Sequence, residues 1–102
     1  MVDWNRVEEL KEELGEDEFP EVIEVFLEEF EGALAGLDPD SATPADMHFL
    51  KGSAATLGFA DTKDLCVEAE TQLKQDALAG IDLGAILAAY FTEKADLLAR
   101  TG

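Results

Sequence analysis

The chain contains a single cysteine, a single histidine and only three prolines in 102 residues. One cysteine excludes an internal disulfide, and Cys66 falls within an apolar helical pattern, where a buried thiol is the usual case. No run approaches the ~18 apolar residues that a membrane-spanning helix needs. The first residues also lack the charged start and apolar run of a secretory signal. These absences predict a cytoplasmic protein that does not enter a membrane.

Positive charge is also scarce, with 7 lysines and arginines against 24 aspartates and glutamates and a net charge of -17. Such a charge repels phosphate backbones and anionic membrane surfaces, so nucleic acid and membranes are poor candidates as partners. Hydrophobic residues make up 47% of the chain, enough to fill a core and to exclude wholesale disorder. We expect residues 1–102 to form a single domain and a monomer.

Strand patterns are nearly absent, because no long run alternates polar and apolar residues. Apolar residues instead recur at intervals of three and four. This spacing predicts a short first helix that ends at Gly15 and a longer second helix that opens at Asp17 and Pro20. The expected inward residues are Trp4, Val7, Leu10 and Leu14 in the first helix, and Ile23, Phe26, Leu27, Phe30 and Leu34 in the second.

Three further helices are predicted after a turn at residues 38–42. Thr43, Pro44 and Asp46 form a capping box that starts the third helix, which should run to about Gly58. Short connections favour antiparallel neighbours. The predicted fold class is therefore all-α: an antiparallel up-and-down four-helix bundle with a short additional N-terminal helix.

The fourth helix is expected to start at residues 61–64, where a second cap-and-carboxylate pattern occurs, and to be closed by Gly80. Asp82 can cap the final helix. The expected inward residues are Leu65, Ala69 and Leu73 in the fourth helix, and Ile86, Leu87, Tyr90, Phe91, Leu97 and Leu98 in the fifth.

The only histidine, His48, lies on the third helix, nearly opposite its apolar face on a helical wheel, so the imidazole should face water. Lys51 and Gly52 lie one turn further on and share its face. Lysine offers positive charge there, and glycine offers empty space. A glycine inside a helix costs about 1 kcal/mol relative to alanine. Its place beside the imidazole suggests that something large approaches this face.

The surroundings of His48 are small or apolar. Ala45 and Ala55 share its outer face, with Phe59 near the helix end, and these three are candidate partner contacts. Phe49 and Phe59 suit either the core or an apolar rim around the histidine, and the pattern leaves both open. No acidic residue occurs from position 47 to 60, so we expect a gap in the negative coat that suits an anionic group.

A neutral imidazole offers a lone pair to an electrophilic phosphorus atom. Lys51 can partly neutralise the phosphoryl group that results, and Ser53 can support it from the flank, although its wheel position points towards the bundle. The chain offers no acidic metal cluster, glycine-rich nucleotide loop or arginine finger. A partner must therefore supply the transfer machinery, which favours a phosphocarrier over an enzyme.

At these residues the chain resembles the histidine-containing phosphotransfer (HPt) family of multistep phosphorelays. Residues 48–53, His-Phe-Leu-Lys-Gly-Ser, match the family motif His-x-Leu-Lys-Gly-Ser/Ala, and Leu57-Gly58 match the pair that usually follows. Leu65-Cys66 together with Glu70 resembles the family's next helix. The specific match covers about two dozen residues.

The resemblance implies a role for each matched residue. His48 would be the phosphoacceptor, Lys51 its electrostatic partner and Gly52 the clearance for a docking receiver domain. The implied partners are response-regulator receiver domains and a hybrid histidine kinase. The chain itself would need no cofactor or metal, and Mg²⁺ is expected in the partner receiver domain.

Two other classes of function remain open from the residues alone. The first is a non-catalytic helical adaptor that binds receiver-type or helical partners through the His48 face. The second is an enzyme that dephosphorylates receivers by positioning water, although an acid or amide suits that task better than an open histidine beside a lysine. A metal site is disfavoured, because His48 and Cys66 alone do not make a ligand set.

Overall fold

The computed structural model describes residues 1–101, which contain five α-helices and, apart from one isolated bridge, no β-structure. The all-α prediction is thus confirmed. The antiparallel order of the four longer helices stays a prediction. The helices are α1 (Trp4–Leu14), α2 (Phe19–Ala35), α3 (Pro44–Leu57), α4 (Ala60–Gln75) and α5 (Leu83–Thr101).

The core is formed by the apolar stripes of the helices, with an aromatic cluster at its centre. The rings of Phe30 and Tyr90 stack with centroids 4.5 Å apart, and Phe59 lies at 5.7 Å from Tyr90. Two residues of α5 that were expected to face inward do not, because Phe91 and Leu98 are 49% and 43% exposed. Buried as predicted are Val7, Leu10, Ile23, Leu27, Phe30, Leu34, Ala69, Leu73, Ile86, Tyr90 and Leu97.

The start of α3 has the predicted capping box. The backbone N–H of Asp46 donates to the Thr43 hydroxyl at 3.2 Å, and the Asp46 carboxylate accepts from the Thr43 backbone N–H at 2.9 Å. Pro44 occupies the first helical position. This closed pair fixes where α3 begins and therefore which residues of the helix face outward.

The start of α4 differs from the prediction. The helix begins at Ala60, and no side chain of the 61–64 pattern caps it. The carboxylate of Glu93 on α5 caps this end of the helix instead. It accepts from the Thr62 hydroxyl at 2.6 Å, from the Thr62 backbone N–H at 2.8 Å and from the Asp61 backbone N–H at 3.2 Å. Glu93 is only 1% exposed. A carboxylate from another helix thus satisfies the free N–H groups at this end.

The end of α4 also differs from the prediction. The helix stops at Gln75, five residues before the expected Gly80. Asp76 is in an extended conformation, and its carboxylate accepts from the backbone N–H of Leu78 at 3.0 Å. This local turn competes with the helix and ends it. Asp82 has its predicted role at the start of α5, since it accepts from the Ala85 N–H at 3.0 Å.

A two-residue connection, Gly58 and Phe59, joins α3 to α4. Gly58 has a φ of +75°, and a Cβ there would lie 2.8 Å from the Asp3 carbonyl oxygen. The Asp3 N–H donates to the Gly58 carbonyl at 2.7 Å, and Arg6 Nε donates to the Thr56 carbonyl at 3.2 Å. The chain around the start of α1 therefore holds the α3–α4 connection in place.

Two other properties bear on the sequence predictions. Burial raises the pKa of the Cys66 thiol to about 11, so this side chain stays protonated at neutral pH. None of the helices within residues 1–101 has the length and apolar character required to cross a membrane.

Candidate functional site

The His48 side chain projects from α3 and is 71% exposed. Its neighbours in sequence explain this orientation: Met47 is fully buried and Leu50 is 1% exposed, so the apolar face of α3 points into the core. The imidazole stands on the other side of the helix, where an approaching molecule can reach it. The structure thus agrees with the wheel prediction that His48 faces water.

A carboxylate from α4 lies against the imidazole. Glu70 Oε2 is 3.2 Å from His48 Nδ1, and the Glu70 side chain is only 8% exposed. The sequence predicts a gap in the acidic coat around His48. This prediction is wrong, because the Glu70 carboxylate lies against the ring. The sequence has no acidic residue from position 47 to 60, but Glu70 reaches His48 from the neighbouring helix.

Two lysines surround the same carboxylate. Lys51 Nζ donates to Glu70 Oε1 at 2.6 Å, and Lys74 Nζ lies 3.4 Å from Glu70 Oε2. The hydrogen bond from Lys51 is the main reason that the pKa of Glu70 falls to about 2; burial opposes the shift, and the charges of Lys51 and Lys74 add to it. Glu70 is therefore a carboxylate at neutral pH and can only accept hydrogen bonds.

The charge of Glu70 decides the tautomer of a neutral imidazole. Because the carboxylate only accepts, Nδ1 of His48 carries the hydrogen, at 3.2 Å from Glu70 Oε2. Nε2 then carries the lone pair, on the side of the ring away from Glu70. The arrangement presents a single, defined nucleophilic nitrogen on an exposed ring.

Gly52 leaves open space beside His48. It is exposed, and a Cβ built at this position meets nothing within 4 Å. Close packing inside the chain therefore does not explain the glycine. Ser53, on the flank, is half-buried. The roles of both residues stay predictions.

The predicted partner contacts divide into two groups. Ala45 and Ala55 are exposed, as a contact surface requires. Phe59 is fully buried and packs against Tyr90, so its prediction as a contact residue is corrected. The left-handed conformation of Gly58 turns the chain before Phe59 and directs its ring into the core. Phe49, which the sequence left open, is 48% exposed.

Phe49 and Ala45 help to line a shallow cavity of about 160 Å³ between α2 and α3. It opens beside the outer side of α3, because its lining includes the exposed residues Ala45 and Phe49. An apolar side chain that is half exposed next to a reactive group is suited to contact with another protein.

The site contains two residues that reasoning from the pattern did not assign. For Glu70, only the family resemblance indicates a place in the site, and the sequence analysis does not identify Lys74. A sequence signal existed for both: Glu70 lies four residues after the buried Cys66, on the inward side of α4, and Lys74 lies four residues after Glu70. A carboxylate on an inward stripe with a lysine one turn later indicates a buried charge with a partner.

Comparison with known proteins gives one clear result. The family model described as Hpt domain matches residues 5–98. No curated protein and no solved structure gives a significant match. The match includes α2, α3 and α4 in full and almost all of α1 and α5, and therefore every residue of the site around His48.

Proposed function

The chain belongs to the Hpt domain family, whose members carry phosphoryl groups on histidine in phosphorelays, and on that premise we propose that His48 is the phosphoacceptor. The chain would accept a phosphoryl group from, and donate it to, aspartates of response-regulator receiver domains or hybrid histidine kinases. The observation that carries this proposal is an exposed imidazole whose Nδ1 lies 3.2 Å from an ionised carboxylate.

The transfer step follows from the tautomer. The Nε2 lone pair of His48 attacks the phosphorus of the partner's aspartyl phosphate. The new N–P bond forms as the P–O bond to the aspartate breaks, and the bonding electrons leave with the aspartate carboxylate. The ring gains positive charge in this step, and Nδ1 keeps its hydrogen. Glu70, as an anion on that hydrogen, stabilises the charged ring. Return transfer reverses each step.

Three neighbours of His48 support the transferred group and its donor. Lys51, one turn along α3, places an ammonium group where it can partly neutralise the phosphoryl oxygens. Gly52 provides the space into which a receiver domain fits, since even a Cβ at this position would meet no other side chain within 4 Å. Ser53 can add support from the flank.

A receiver domain needs a surface as well as a nucleophile. Ala45 and Ala55 are small and exposed on the His48 side of α3, and Phe49 adds exposed apolar area. We assign the Mg²⁺ that phosphoryl transfer needs to the receiver domain. The carrier role needs no catalytic machinery on this chain. We further propose that the chain acts in the cytoplasm as a monomer and that its four longer helices form an antiparallel up-and-down bundle.

The decisive experiment is transfer from phosphorylated receiver domains of the source organism, tested one by one. We expect at least one to label the chain with an acid-labile, base-stable phosphate, and His48→Gln to abolish the label. Circular dichroism of the variant should be unchanged, because the side chain is exposed. Label that survives this substitution would refute the assignment of His48.

The same experiment tests the adaptor, which is favoured by the 48% exposure of Phe49. An adaptor would bind a receiver domain without taking label, and His48→Gln would leave that binding unchanged. Catalytic loss of receiver phosphate without label on this chain would instead identify a phosphatase.

A further inference from the structure

Glu70 has more ionic partners than the proposed transfer chemistry uses. Its Oε1 accepts from Lys51 at 2.6 Å, whereas its Oε2 faces both His48 Nδ1 at 3.2 Å and Lys74 Nζ at 3.4 Å. The proposed function assigns a role to Lys51 but none to Lys74. Lys74 lies in the last turn of α4, four residues after Glu70.

Phosphorylation changes what Lys51 must neutralise. A phosphoryl group carries close to two negative charges at neutral pH. In the unphosphorylated protein the ammonium of Lys51 is held by Glu70, with the side chain 29% exposed. If Lys51 serves the phosphoryl group, it must share or give up its contact with Glu70. Glu70 then has only the charged ring to hold it against the repulsion of an added dianion, so a second ammonium group would help to keep it in place.

Lys74 is placed to supply that cation. Its Nζ lies beside the same oxygen that faces Nδ1, and its side chain is 64% exposed, so the ammonium can adjust without unpacking the core. We propose that Lys74 is a positioning residue that keeps Glu70 on Nδ1 of His48 while Lys51 turns to the phosphoryl group. This inference rests on the proposed phosphoacceptor role of His48.

The proposal predicts an effect that depends on the phosphorylation state. In the unphosphorylated protein Lys51 still holds Glu70, so Lys74→Met should leave the His48 ring unchanged. In the phosphorylated protein Glu70 would then have no lysine partner, and its contact with Nδ1–H of the charged ring would weaken. We expect the phosphohistidine to lose its phosphoryl group about threefold faster, a size set by the modest strength of exposed ion pairs.

The test uses phosphoramidate as the donor, so that no partner is needed. Nε2 attacks phosphorus, the P–N bond of phosphoramidate breaks and ammonia leaves. The rate of phosphate loss is then compared among wild type, Lys74→Met and Lys74→Arg. Lys63→Met is the matched control, because it removes one positive charge from the same helix. Within residues 1–101, Lys63 forms an ion pair with Asp64 alone, at 3.9 Å.

Ring ¹⁵N NMR supplies a readout that a purely structural role would not change. The chain has one histidine, so its two ring nitrogens give unambiguous signals. We expect the Nδ1–H signal to weaken in phosphorylated Lys74→Met, to be unchanged in the unphosphorylated form and to recover in Lys74→Arg. Lys63→Met should match wild type in every measurement.

Three results would overturn the inference: an unchanged rate in Lys74→Met, an equal acceleration in Lys63→Met, or a failure of Lys74→Arg to restore the wild-type rate. None of these depends on receiver domains. Failure of every receiver domain to label wild type would refute the proposed function instead, so the two failures can be told apart.

Discussion

Substitution of Gly52 should separate stability from function. The residue is exposed in the interior of α3, and a Cβ there meets nothing within 4 Å. Alanine at this position therefore gains helix propensity without a clash, and because the position is exposed we expect glutamine to gain it as well. The expected gain is about 0.5–1 kcal/mol in the free energy of unfolding. For a chain of this size that corresponds to a rise of roughly 4 °C in melting temperature.

The same substitution should slow phosphotransfer, because the space over Gly52 is the proposed place of the receiver domain. A side chain as long as glutamine would displace the receiver from His48 by more than 1 Å, and misplacement of that size costs about 100-fold in rate. We expect Gly52→Gln to be more stable than wild type and about 100-fold slower in transfer from a receiver domain.

Gly32 provides the matched control. It lies inside α2, and a Cβ there also meets nothing within 4 Å. Gly32→Gln should give a similar gain in stability without slowing transfer. Thermal unfolding and single-turnover transfer measure the two effects. The reasoning is refuted if Gly52→Gln transfers as fast as Gly32→Gln, or if Gly52→Gln is less stable than wild type.

Three further predictions concern the fold and its pH dependence. Glu93→Ala leaves both buried donors of Thr62 without an acceptor, so we expect a loss of about 3 kcal/mol in urea unfolding. Glu93→Gln keeps the side-chain volume and an acceptor oxygen and should lose less, and an equal loss in both variants would refute the acceptor role. Gly58→Ala places a Cβ on a residue with positive φ, 2.8 Å from the Asp3 carbonyl oxygen. It should lower the free energy of unfolding by about 2 kcal/mol or more, and an unchanged urea midpoint would contradict this. The pKa of Glu70 is about 2 in the folded protein against an ordinary value of 4.5, so its stabilising effect should be complete above pH 4.5 and be lost as the pH falls towards 2. The stability difference between wild type and Glu70→Gln, measured across this range, should follow that course, and a difference independent of pH would refute it.

The part of the site that lies on one helix could be predicted from sequence. His48, Lys51 and Gly52 are separated by three or four residues, and the geometry of a helix fixes which of them share a face. Exposure of His48 followed from the apolar positions on the opposite side. The positions of Glu70 and Lys74 could not be predicted in this way, because the contact between His48 and Glu70 depends on how α3 and α4 pack.

The errors at the helix ends have the same origin. The start of α4 was assigned to its own polar residues, yet the acceptor is Glu93, which lies 31 residues after Thr62 in the chain. Likewise, nothing local distinguishes an exposed Phe59 from one that packs on Tyr90. Such contacts are decided by tertiary structure, and a single sequence carries only indirect signs of them.

The imidazole and the carboxylate that faces it belong to consecutive helices joined by only Gly58 and Phe59. Their relative position therefore depends on how α3 and α4, residues 44–75, pack against each other. Lengthening the loops before α3 or after α4 would leave this pair in register. An insertion of even one residue between Leu57 and Ala60 should shift α4 against α3, because Gly58 and Phe59 are held by contacts with Asp3 and Tyr90, and should weaken the contact between the ring and its carboxylate. The shortest connection in the molecule is thus the one that a designer of chimeric carriers must leave untouched.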